Sequence, residues 1–291
     1  MPVKKRLGTL GATSPLGLTG MTGMYGPANR GEGIATIRTA VDAGVTLLDT
    51  GDFYGMGDNE ALLREASDPF TRDKVQLSVK FGAMRGPDLS WLGYDTRPVA
   101  VKNFLTYTLK RLGTDYIDIY RPAGLDPEVP IEDTVGAIAE MVQAGYVRNI
   151  GLTDVDADTI RRAHAVHPLS DVQFEYSVIS RGPDGDILHT CRELGIGITA
   201  YGVLARGLHR HRVLLDRLCA IAGHLEASVA QVAIAWVSAQ GDDIVPLIGA
   251  RTRTTLEESL GAVDLTLTTD QLAAIERAVP QRSDNEQAVS A

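Results

Sequence analysis

Two β-rich runs in the first third of the chain end in residues able to exchange a proton. Val45-Thr-Leu-Leu-Asp49 closes on Asp49, with Tyr54 five residues on, and Val75-Gln-Leu-Ser-Val-Lys80 closes on Lys80. An aspartate and a lysine at the tops of neighbouring strands can pair. A lysine ammonium beside a tyrosine hydroxyl stabilises the phenolate and lowers the tyrosine pKa, which makes the tyrosine a proton donor for a carbonyl oxygen. Each residue also has a plainer reading. A lysine that closes an apolar strand often reaches solvent, and Asp-Thr-Gly is good turn chemistry. The three together at successive strand ends favour the chemical reading.

Short β-rich runs that would position them occur at Leu16–Gly20, Val45–Asp49, Val75–Lys80, Tyr116–Tyr120, Ile150–Thr153, Val172–Glu175, Ile196–Tyr201 and Ile244–Ile248. Helical patterns separate them. Ile131, Val135, Ile138, Ala139 and Val142 form one apolar stripe, with Gly145 placed as its terminating glycine. Val229, Val232, Ala233 and Trp236 form another, preceded by Ser228 as an N-cap. Asp158-Thr-Ile and Thr269-Asp-Gln read as further helix starts. Eight β-runs alternating with helices, without a linker, predict one (β/α)8 TIM barrel across residues 1–291. The competing doubly wound sheet usually carries a glycine-rich phosphate turn after its first strand. Here that position reads MTGMYGPANRGEG, which is not G-x-G-x-x-G. Residues Val3–Pro15 are expected to form a β-hairpin plugging the barrel bottom, and residues 281–291 a loose polar tail.

Composition excludes several classes. The 291 residues carry a net charge of -9, a poor match for nucleic acid or an anionic membrane. No run of eighteen apolar residues suggests a membrane span, and the N-terminus lacks an apolar signal core. Cys191 and Cys219 have no metal-ligand spacing, so neither a disulfide framework nor a metal is expected and a reducing cytoplasm is the default.

In order along the chain, LLDTGDFYGMGDNE, LSVKFG, DYIDIY, AGYVRNIGLT, ITAYGVLARG and IVPLIGARTRTTLEESLGAVDLTLT resemble the aldo-keto reductase family from about Arg6 to Val279. The resemblance implies a (β/α)8 barrel that uses NADPH without a Rossmann motif and reversibly reduces aldehydes and ketones. It gives Tyr54 the role of general acid, Lys80 that of its tuning cation, and Asp49 that of the lysine's partner near the nicotinamide ribose. Thr153, Asp154 and Gln173 stand where the family contacts the nicotinamide amide, and Tyr201 where an aromatic stacks on the ring. Gly202, Val203, Leu204 and Arg206 would approach the pyrophosphate. Gly249, Arg251, Thr252 and Arg253 open a helix suited to a 2′-phosphate, with Glu258 and Ser259 toward the adenine. A solvated helix start is the plainer reading of the arginines. The expected preference is NADPH over NADH.

Two departures stand out. Ala123 falls where the family usually has a histidine that orients the carbonyl, and Gly124 where an arginine often follows. A branch resembling pyridoxal-reductase-like members also reads Arg-Pro-Ala here, and Arg121 is a candidate replacement donor. The segment from Ala205 to Arg212 runs almost directly into the next helix, so a loop that would cover the cofactor is shortened. Met24, Tyr25, Trp91 and Tyr94 are candidates to wall a substrate pocket, although Trp91 and Tyr94 equally suit packing of their own loop. The leading expectation is an NADPH-dependent carbonyl reductase acting on a small-molecule carbonyl. The missing histidine keeps open a nicotinamide-binding sensor or regulatory subunit, and no apolar surface stripe specifies an oligomer.

Overall fold

Aliphatic and β-branched runs put their side chains on both faces of a parallel sheet, which is why they read as continuous apolar segments. In the computed structural model, which describes residues 5–10, 12–24, 26–67, 72–204 and 208–279, these runs form a barrel. Its strands are Pro15–Gly17, Leu47–Gly51, Gln76–Phe81, Ile117–Pro122, Val147–Thr153, Leu169–Glu175 and Gly197–Tyr201, and an eighth in two segments, Ile244–Pro246 and Ile248–Gly249. Every neighbouring pair is parallel. The eighth strand closes the ring across Leu247. Its first segment pairs with the seventh strand, its second with the first, and the Leu247 N–H donates to the Ala200 carbonyl at 2.8 Å.

The helices around the barrel are α1 (Arg30–Asp42), α2 (Asp58–Ala66), α3 (Pro98–Leu112), α4 (Ile131–Gln143), α5 (Ala157–Val166), α6 (Asp186–Glu193), α7 (Arg212–His224), α8 (Val229–Ser238), α9 (Arg253–Leu260) and α10 (Thr269–Glu276). Ser228 caps α8 in a capping box with Gln231, as its position predicted. Gly145 follows the last turn of α4 with φ +86°. The helix expected from Asp158 begins one residue earlier, at Ala157, because the Asp156 side chain accepts from the Thr159 N–H. The first strand is shorter than expected and ends at Gly17, and Thr19–Thr22 turn as a short 3₁₀ segment.

Lys5–Arg6 and Ala12–Thr13 pair antiparallel, which gives the expected hairpin. Leu7, fully buried, packs with Leu47, Ile119 and Val245 as the lowest layer of the barrel interior. Gly8 has φ +47°, and a Cβ there would lie 2.0 Å from the Ser170 carbonyl oxygen. Gly8→Ala therefore combines left-handed strain with a collision against backbone. It is expected to lower stability by about 2–4 kcal/mol, read as a shifted urea midpoint at constant m-value.

The stretch after the third strand also differs from expectation. Read as a long loop, it forms an antiparallel hairpin of Ala83–Arg85 with Trp91–Tyr94. The hairpin stands over the upper rim, where the strands' C-terminal ends meet. Residues 281–291 lie outside the described residues.

Candidate active site

The turn after the second strand carries Tyr54. Asn59, fully buried, fixes it by donating to the Leu18 carbonyl at 2.9 Å and accepting from the Thr50 hydroxyl at 2.6 Å. The Tyr54 ring meets Phe53 edge-on, with centroids 4.6 Å apart. Lys80, one strand over, puts its ammonium 5.7 Å from the Tyr54 ring centre.

Asp49 is fully buried and receives three donors. Lys80 Nζ reaches Oδ1 at 2.5 Å, while Ser78 Oγ at 2.7 Å and Gln173 Nε2 at 3.0 Å reach Oδ2. Burial is the largest influence on the Asp49 carboxyl and pushes its pKa up, but the Lys80 and Arg121 cations and the donated hydrogen bonds outweigh it and hold the group below the usual carboxylate range. Burial likewise disfavours the Lys80 ammonium, and the Asp49 charge with Tyr54 more than offsets that, so Lys80 sits above its ordinary value. The site therefore keeps an anion–cation pair at neutral pH directly beneath a phenol.

The pair belongs to a longer chain of polar groups inside the barrel. Arg121 binds Asp171 through both guanidinium nitrogens, at 2.9 and 3.1 Å, and also donates to Ser78 Oγ at 3.0 Å. Thr199 donates to Asp171 at 2.8 Å. Ser78 thus links two ion pairs, Asp49–Lys80 and Asp171–Arg121. Sequence reasoning missed Ser78, Asp171 and Thr199. A signal existed: Ser78 with Lys80, and Asp171 with Gln173, are polar at i and i+2 in otherwise apolar runs, which places each pair on one strand face.

A cleft of about 590 Å³ opens above this chain, with Asp49, Tyr54 and Lys80 on its floor. Thr153, Asp154 and Gln173 form one wall and Gly202, Val203 and Leu204 extend it, with Tyr201 between them. The Thr153 hydroxyl is buried and has no hydrogen-bond partner among the described residues. Asp154 has φ +48° and accepts from the Tyr201 hydroxyl at 2.6 Å and the Glu175 N–H at 3.3 Å. Gly249, Arg251, Met24 and Tyr94 also line the cleft. Phe53 and Leu247, not anticipated, line it as well.

Several expected contacts are corrected. Arg121 is fully buried and committed to Asp171 and Ser78, so it does not reach a substrate directly. Trp91 is 47% exposed and lies outside the cleft, with its ring edge-on to Tyr94 and Arg85 over its other side. Arg253 is held by Glu32 at 3.0 Å, and Glu32 also accepts from the Arg253 N–H at the start of α9. Thr252 spends its hydroxyl capping that helix. Glu258 is exposed on α9 outside the cleft, and Ser259 is buried beneath the helix, so neither lines the space. Tyr25, Arg206 and the shortened loop's Ala205 and Gly207 lie outside the described residues.

A family model described as the aldo/keto reductase family matches residues 15–280. A probable aldo-keto reductase 1 of Glycine max is 38% identical over 312 aligned positions, which cover 96% of this chain and 89% of that protein. A thermostable aldo-keto reductase crystallised with the inhibitor epalrestat superposes with a TM-score of 0.84 at 28% identity, covering 95% of this chain and 99% of the other. An aldo-keto reductase from Klebsiella pneumoniae in complex with NADPH gives a TM-score of 0.83 at 26% identity, with 97% of each chain covered.

Proposed function

The chain belongs to the aldo-keto reductase family, and from that premise we propose that it reduces aldehydes or ketones to alcohols with NADPH. The observation that carries the proposal is the Asp49–Lys80 ion pair buried under Tyr54 on the cleft floor. The cleft wall fits the cofactor. The unpartnered Thr153 hydroxyl suits the nicotinamide amide, Tyr201 offers a ring for stacking, and Gly202–Leu204 offer backbone to the pyrophosphate. NADPH, when bound, supplies a hydride from nicotinamide C4. Tyr54 gives its hydroxyl proton to the carbonyl oxygen as the carbon gains that hydride, so new C–H and O–H bonds replace the C=O π bond. Lys80 stabilises the phenolate that remains, and Asp49 holds Lys80 charged and in place. Solvent then returns the proton to Tyr54.

Among the described residues, Arg251 is the arginine that lines the cleft, and it supports the preference for NADPH over NADH. The crystallised relative with NADPH supports the same reading. Arg251→Ala is expected to weaken NADPH binding roughly 10- to 100-fold and NADH binding much less, as the loss of one charge-assisted contact to a phosphate. Titration of nicotinamide fluorescence measures both. The substrate end is walled mainly by Met24, Phe53, Tyr94 and Ala123, which favours a neutral aldehyde on an apolar or aromatic body. Pyridoxal is one candidate, since its ring polarises the aldehyde. We propose in addition a cytoplasmic protein that acts on a small molecule without a nucleic-acid or membrane partner. Among the described residues, no single helix is long and apolar enough to cross a membrane. The experiment is a panel of aldehydes offered to the purified protein with NADPH. Alcohol formed in step with NADPH consumed supports the proposal, and tight NADPH binding with no alcohol from any aldehyde rejects it.

A further inference from the structure

We propose that the Tyr94 hydroxyl is the second hydrogen-bond donor to the carbonyl oxygen, acting beside Tyr54 from the end of the hairpin that follows the third strand. The proposal rests on the reductase reading above and goes beyond it. A carbonyl oxygen that gains negative charge has two lone pairs to satisfy, and Tyr54 serves one. Most other polar groups near the floor are committed: the Lys80 ammonium and Gln173 amide to Asp49, and the Tyr201 hydroxyl to Asp154. Ala123, which lines the cleft at this point, offers no donor in its side chain. Tyr94 lines the same cleft, and its hydroxyl makes no hydrogen bond to protein among the described residues.

The geometry that delivers Tyr94 is specific. Its ring lies against Gly124, the residue next to Ala123. A Cβ on Gly124 would sit 2.2 Å from Tyr94 Cζ and 2.6 Å from its hydroxyl oxygen. Only glycine permits that approach. The Trp91 ring meets Tyr94 edge-on at 4.9 Å between centroids, and the Asp95 N–H ties the hairpin's end to the Gly82 carbonyl at 2.8 Å. Tyr94 is thus clamped between an indole and a backbone. Burial, and then the Asp154 charge, raise its pKa, so the hydroxyl keeps its proton and remains a donor. Small residues at 123 and 124 and a tyrosine from a distant hairpin form one arrangement: the hairpin supplies what the fourth strand lacks.

Tyr94→Phe keeps the ring on Gly124 and removes only the hydroxyl. With benzaldehyde as the probe, kcat is expected to fall about 10²-fold, with NADPH affinity unchanged and KM little altered. The non-reducible analogue benzamide, titrated into the NADPH complex by fluorescence, is expected to bind about 10-fold more weakly to the variant. An unchanged kcat and benzamide affinity, or a loss confined to KM, would overturn the assignment and leave Tyr94 as a wall of the pocket. If the wild type consumes no NADPH with any aldehyde, the reductase reading itself fails. That outcome is distinguishable, because it appears before any variant is compared.

Discussion

Tyr54→Phe is expected to lower aldehyde reduction by roughly 10²- to 10⁴-fold while leaving NADPH affinity nearly unchanged. The hydroxyl is the proton source, and phenylalanine fills the same space against Phe53, so the loss should fall on kcat rather than on folding. The buried pair beneath it explains the size of the effect. Lys80 is held charged by Asp49 at 2.5 Å in a site nearly closed to water, where its attraction for a developing phenolate is weakly screened. Steady-state kinetics with a fluorescence titration of NADPH separates the two quantities. Equal kcat in the two proteins would remove Tyr54 from the role of general acid.

Arg121→Met is expected to destabilise the fold by about 3–5 kcal/mol, because it leaves the fully buried Asp171 carboxylate without its cation. Replacing both partners, as Arg121→Met with Asp171→Leu, is expected to recover most of that loss, since a well-packed apolar pair avoids the cost of burying charge. Thermal and urea unfolding of the single and double variants measure the difference. If the single variant were as stable as the wild type, Arg121 would not be sustaining Asp171. The Arg121 guanidinium also donates to Ser78, which donates to Asp49. The double variant should therefore fold yet reduce aldehydes less well than the wild type.

The barrel was legible because its runs are apolar on both faces and alternate with helical stripes, and seven of the eight expected runs overlap continuous strands. The eighth was not legible as two segments, because the break at Leu247 arises from closing the ring against two different neighbours. Asp49, Tyr54 and Lys80 were legible because each ends a strand or follows one closely, and strand ends converge in this fold. Arg121 was misread for a physical reason. Position along the sequence puts it near the strand top, but strand alternation turns it inward, onto the same interior chain as Ser78 and Asp171. Arg253 looked free for a phosphate because nothing local shows that Glu32, in α1, is brought to it. Tyr94 was visible as a pocket residue, but not as a neighbour of Gly124, since a contact between a hairpin and the next strand's end carries no periodic signal.

The most direct test uses NADPH carrying deuterium in both positions at nicotinamide C4, with a reducible aldehyde, and mass analysis of the product. The account predicts an alcohol with one deuterium on the former carbonyl carbon, formed by the wild type and formed far more slowly by Tyr54→Phe. NADPH held tightly by the wild type, with no deuterated alcohol from any aldehyde, would contradict it and leave a protein that binds the nicotinamide without using it.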